Sequence, residues 1–188
     1  METTLIVYKH PFSSYFYKMK RVAIILFFVS ISFFAFGEVV KTFYPNGQLC
    51  SEISYENGLR HGPCIYYWKT DLFWERGPEM TVSEYEKGKL IGEFKSFYLS
   101  GKLKQHGYYK FVENELYSRK VSTWKNFNVN GQLIKVSNLQ NDVPTHWKTY
   151  DSFGKLIQTG ETIFENGLPV DQKIYNSNGT LQIQSNGC

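Results

Sequence analysis

The chain has 188 residues, of which 42% are hydrophobic, 20% charged and 18% aromatic. That apolar content excludes a disordered chain, and 14 Tyr with 15 Phe point away from a coiled coil and toward strands, where rings pack well on a pleated surface. The formal net charge of +4 sits mostly at the front: residues 1–37 hold Lys9, Lys18, Lys20 and Arg21 against Glu2, leaving 17 bases and 16 acids in residues 38–188. A near-neutral remainder with scattered Lys and no Arg cluster lacks the electrostatic footprint of a phosphate-backbone binder, so nucleic acid is set aside as a partner.

In chain order, Lys18-Met19-Lys20-Arg21 comes first, followed by an apolar run from Val22 to Phe36 broken only by Ser30 and Ser32. The run is too short to span a bilayer comfortably, and Ala35-Phe36-Gly37 has the small-x-small form that signal peptidase cuts. This predicts a hydrophobic N-terminal helix acting as an export signal, cleaved between Gly37 and Glu38, with an uncleaved anchor as the alternative. Met19 stands where a compact signal peptide (19–37) begins, so residues 1–18 read as an extension upstream of the true start. The first cysteine, Cys50, lies well past the cleavage point, which disfavours a lipid-modified N-terminus. The expected location is exported, whether periplasmic, cell-surface or secreted, with contact to membrane only through this segment.

Residues 38–188 form one repeat domain. Two kinds of turn alternate along it. The first reads aromatic-x-x-Gly-x-Leu, as in Tyr44-Pro-Asn-Gly-Gln-Leu49 and Tyr98-Leu-Ser-Gly-Lys-Leu103, or one residue longer, as at Phe127–Leu133, Tyr150–Leu156 and Tyr175–Leu181. The second reads Tyr55-Glu-Asn-Gly-Leu59, Tyr85-Glu-Lys-Gly-Lys-Leu90 and Phe164-Glu-Asn-Gly-Leu168. Turn markers recur every 11 to 17 residues, which suits a strand plus its turn and is too short for a helix with connectors. The predicted fold is all-β: an antiparallel meander of about twelve short strands built from tandem hairpins, in an elongated twisted sheet.

Register follows from the turns. A three-residue loop with a bulge at Gly58 pairs Tyr55 with Leu59 and sets Cys50 opposite Cys64; a two-residue Asn57-Gly58 loop puts Cys50 opposite Ile65 instead. The three-residue form is favoured, with Leu49, Ile53, Tyr55, Leu59, Ile65 and Tyr67 sharing one face. Pro63 then faces Ser51 without an amide hydrogen to offer the ladder.

The alternation of Tyr-x-x-Asn-Gly-x-Leu with Tyr-x-Asn-Gly-x-x-x-Gly, from Lys41 to Ile183, resembles the bacterial variant of the membrane occupation and recognition nexus (MORN) repeat. The resemblance implies a repeat scaffold without catalytic residues. It also implies an antitoxin or immunity-like role, since proteins of that kind are often labelled as components of toxin–antitoxin modules. The chain departs from the pattern at Asp71, Glu115 and Asp142, where the turn Gly is replaced, and an export signal departs from a cytoplasmic antitoxin.

Tests for chemistry give little. In an exported chain Cys50 and Cys64 are the natural disulfide pair, with two free buried thiols as the alternative and Cys188 left over. His61, His106 and His146 fall in three different repeats with no metal-ligand spacing, and neither a nucleophile elbow nor a phosphate loop occurs. No cofactor and no metal are expected, and the chain reads as a non-enzyme. Aromatics are in surplus, which makes Tyr66, Trp68, Trp74, Trp124 and Trp147 candidate partner-contact residues. The leading reading is a non-catalytic exported module that binds another protein; the alternative is an envelope- or glycan-binding module using exposed Tyr and Trp rows.

Overall fold

The computed structural model describes residues 37–71 and 77–186. The chain divides into two units, Met1–Phe36 and Gly37–Cys188, and the second carries the sheet. Its strands are β1 (Glu38–Phe43), β2 (Leu49–Glu56), β3 (Leu59–Tyr67), β4 (Glu79–Glu86), β5 (Lys89–Phe97), β6 (Leu103–Phe111), β7 (Ser118–Phe127), β8 (Leu133–Gln140), β9 (Val143–Tyr150), β10 (Leu156–Glu165), β11 (Leu168–Asn176) and β12 (Leu181–Asn186). They form one twelve-stranded antiparallel sheet in sequence order, β1 through β12. The expected fold needs one correction: the described residues contain strands and turns but no helix, and the N-terminal hydrophobic helix falls on residues outside them.

Both turn classes have definite backbone chemistry. In the first, the amide of Tyr44 donates to Gln48 O at 2.8 Å and that of Gly47 to Tyr44 O at 2.9 Å, a type I turn closed by a left-handed glycine (φ 83°). The same pair of bonds closes the loops beginning at Tyr98, Asn128, Asp151 and Asn176. All five loops are therefore equal in length, and the apparent extra residue in three of them only moves the aromatic one place outward. In the second class both central residues are left-handed: Asn57 and Gly58, Lys87 and Gly88, Asn141 and Asp142, Asn166 and Gly167. Positive φ at both positions defines the two-residue type I′ hairpin, whose twist matches that of its strands.

This corrects the expected register. Glu56 pairs with Leu59 and Tyr55 with Arg60, so the loop has two residues, not three. Further along, Ile53 pairs with Cys64 and Ser51 with Tyr66, because three residues of β3 (His61, Gly62, Pro63) oppose Ser54 alone. Gly62 carries the bulge at φ 87°, where an L side chain is strained, and the missing amide of Pro63 is harmless in a bulge. Cys50 and Cys64 are consequently not opposed, and both are free thiols, Cys64 buried. Ile65 faces Glu52, on the side away from Ile53.

Bulges recur at Gly92 (φ 65°) and Ser122 (φ 63°), and two residues beyond each comes a large side chain, Phe94 and Trp124. The strand pairings then trace a row across the sheet: Phe94 opposite Gly107, Trp124 opposite Ser137, Ser137 opposite Trp147, Trp147 opposite Gly160 and Gly160 opposite Ile174. Large residues come from odd strands and small ones from even strands. Trp124 is 2% exposed and Trp147 7%, a burial that a single sheet achieves by laying each indole over a glycine. A Cβ on Gly107 would stand 2.1 Å from the Trp124 ring, and one on Gly160 would stand 2.0 Å from that of Trp147. Phe94 stacks on Trp124 at 5.8 Å between ring centroids, and Tyr109 meets both rings edge-on.

Bonds between turns stitch the margin. Tyr44 Oη donates to Tyr67 O at 2.7 Å, Trp68 Nε1 to Phe97 O at 3.2 Å and Tyr98 Oη to Phe127 O at 2.8 Å, each reaching past its own hairpin. Gly107→Ala and Gly160→Ala are each expected to lower stability in urea unfolding by about 1–3 kcal/mol through overpacking. Ser152→Ala, in an exposed loop, stays within about 0.5 kcal/mol.

Candidate functional site

Strand alternation gives the sheet two unlike faces. One carries the Trp124 and Trp147 row. The other carries a second complete row, read through successive pairings: Lys41, Glu52, Ile65, Val82, Lys95, His106, Lys125, Val136, Lys148, Thr159 and Tyr175. Bulges at Gly62, Gly92 and Ser122 fix which residues join it, since a slip of one residue would exchange the faces.

On this lysine-bearing face Glu93 is a hub. Its Oε2 accepts from Lys95 Nζ at 2.7 Å, and its Oε1 lies 2.9 Å from His106 Nε2. The Lys95 ammonium above all, with His106 adding to it, holds the Glu93 carboxyl below the ordinary carboxylate range against partial desolvation. His106 in turn leans on the half-exposed Tyr108, ring centroids 5.6 Å apart.

Further along, between β8 and β11, the same face opens into a groove of about 410 Å³ lined by Val136, Asn138, His146, Lys148, Glu161 and Tyr175 among others. Glu161 Oε1 accepts from the Tyr175 hydroxyl at 2.9 Å, while Oε2 lies 3.9 Å from His146 Nε2. Bonding to this carboxylate pushes the Tyr175 phenol up. The groove thus offers a carboxylate oxygen, an amide, an exposed imidazole and an ammonium beside an apolar lining that includes Val136 and Trp147, a set suited to polar contacts with a macromolecular segment. Among the described residues no group of three or more His, Cys, Asp or Glu side chains is placed to hold a metal ion.

The residues proposed from sequence fare unevenly. Trp124 and Trp147 are brought together, but as core: their rings cover Gly107 and Gly160, which corrects their assignment as accessible contact residues. Lys120 and Lys135 further cap these indoles at 4.5 and 5.9 Å from the ring centroids. Trp68 is half-buried and fastened to Phe97 O, and Tyr66 is half-buried beside Cys64, with burial pushing its phenol up. Trp74 lies outside the described residues, as does most of the targeting segment; Gly37 is exposed and Glu38 opens β1. Lys125, Lys148, Glu161 and Tyr175 escaped the sequence reading because they share a face only once the bulges are known.

Residues 39–57 and 90–111 match the family model described as the MORN repeat variant. Each stretch contains two strands joined by a five-residue loop of the first class, β1–β2 and β5–β6, so the matched unit is that hairpin. Repeats of this kind generally bind proteins or membranes. No curated protein matches the chain.

Glu93 provides a direct check on the electrostatics. Its depressed pKa means that the stabilisation it brings is complete above the ordinary carboxylate value and is lost as pH falls through the folded value. In a carboxyl-detected NMR titration its midpoint should lie below that of a model glutamate, and Lys95→Ala should move it upward.

Proposed function

We propose that the chain is a non-catalytic, exported repeat protein that binds another protein through the lysine-bearing face of its sheet. The observation that carries this reading is the split between faces: one buries its large rings over glycine and serine, whereas the other keeps ordered, half-exposed polar side chains around an open groove. A surface with packed rings beneath and fixed polar groups above is preorganised for recognition, because little side-chain entropy remains to be lost on contact. The matched repeat, with its general association with protein or membrane binding, agrees. Export rests on the charged and apolar order of residues 18–37. An antitoxin or immunity role is the form this binding takes if the partner is a toxin.

The alternative, an envelope or glycan binder using Tyr and Trp rows, keeps Tyr108 and Tyr66 but loses Trp124 and Trp147 to the core. Chemical cross-linking of the full chain in an envelope extract should yield one protein partner in stoichiometric amount, with a mature N-terminus at Glu38. Co-sedimentation with peptidoglycan in place of a protein adduct would transfer the case to the alternative, and a mature chain beginning at Met1 or Met19 would remove the export claim.

A further inference from the structure

The repeat domain is close to neutral, but its charge is not evenly spread. Residues 103–150, from β6 to β9, hold seven Lys and Arg against three Asp and Glu. Two of those acids, Glu115 and Asp142, lie against Arg119 at 2.5 and 3.9 Å, which leaves one acid, Glu113, against the six lysines of this stretch.

Lys125 and Lys148 are exposed and flank Val136 in one row of the lysine-bearing face, with His106 next in line. Neither lysine has an ion-pair partner among the described residues. With strands about 4.8 Å apart, the row from Lys95 to Lys148 runs about 19 Å across β5–β9, the length of about six extended residues.

We propose, building on the protein-binding reading above, that this row docks an extended acidic segment of the partner protein. Carboxylates of the segment meet Lys125 and Lys148, and an apolar side chain between them covers Val136. Glu93 and Glu161 sit two residues off the row on β5 and β10, where they repel acidic groups that stray from it. A broad anionic surface such as a bilayer would press against both of these carboxylates, whereas a narrow acidic chain passes between them.

The test uses the full-length chain and a fluorescent ten-residue Glu-rich peptide, read by anisotropy at low and physiological salt, with phosphatidylglycerol vesicles in a parallel sedimentation arm. Saturable, salt-sensitive binding is expected, weakened about tenfold by Lys125→Gln combined with Lys148→Gln and retained by the corresponding double Arg variant. Lys87→Gln, in a turn outside the row, should leave it unchanged. Absence of saturable peptide binding, equal affinity in the double Gln variant, or vesicle binding that the same variant abolishes would each overturn the proposal. If cross-linking still captures the same protein with the double Gln variant, the protein-binding reading stands and this surface is the wrong one.

Discussion

An indole lying flat on a glycine is the contact from which the rest of the sheet follows. A single antiparallel layer has no second layer to cover its rings, so each large side chain must be sheltered by its cross-strand neighbours. Trp147 achieves this by sitting between Ser137 and Gly160, and Trp124 by sitting between Gly107 and Ser137. A ring of that size needs a small residue on one side and the space of a missing side chain on the other; any Cβ at Gly107 or Gly160 would enter the ring itself. The alternation therefore couples neighbouring strands pairwise, and the core is a line running across the strands rather than a volume.

Keeping that line straight demands strict register, which is the task of the two turn classes and the bulges. Type I′ turns with two left-handed residues join β2–β3, β4–β5, β8–β9 and β10–β11, and the five-residue loops with a left-handed glycine join five further pairs, whereas β3–β4 and β6–β7 are joined by longer segments. Between them Gly62, Gly92 and Ser122 insert extra residues that bring Cys64, Phe94 and Trp124 onto the line. Ser122 holds a left-handed conformation at φ 63° without glycine's freedom, two residues before the indole of Trp124, which is 2% exposed, so packing around Trp124 supports the strain there.

The strand count, the meander order and the positions of the turns were legible in the sequence, because Gly, Asn and aromatic residues recur there for local backbone reasons. Register was not. Glu56-Asn57-Gly58 supports either a two- or a three-residue loop by composition, and the difference of one residue decided the expected Cys50–Cys64 pairing and the face of Ile65. Gly62 and Gly92 are bulges within strands, which the spacing of the turns does not announce. Gly107 and Gly160 gave the opposite signal, glycines far from any turn and with no left-handed backbone, and such residues inside a strand mark close approach by a neighbour. Pairing each with the nearest Trp in sequence places Trp124 and Trp147 in the core.

The same dependence on register explains why overall neutrality concealed the charged row. Along the sequence, Lys125 and Lys148 are separated by an entire strand and two turns, and Lys120 and Lys135 lie just as near in sequence. Across the sheet the four divide: Lys120 and Lys135 cover indoles on one face, while Lys125 and Lys148 stand two strands apart on the other. A cation held over a ring is already partnered by its quadrupole, whereas an exposed ammonium in a row with a neutral neighbour retains its full field toward solvent. The alternation that buries the rings thus also sorts the lysines, sending one set to cap the core and the other to the open face, so that the charge pattern there is a by-product of how the single layer is packed.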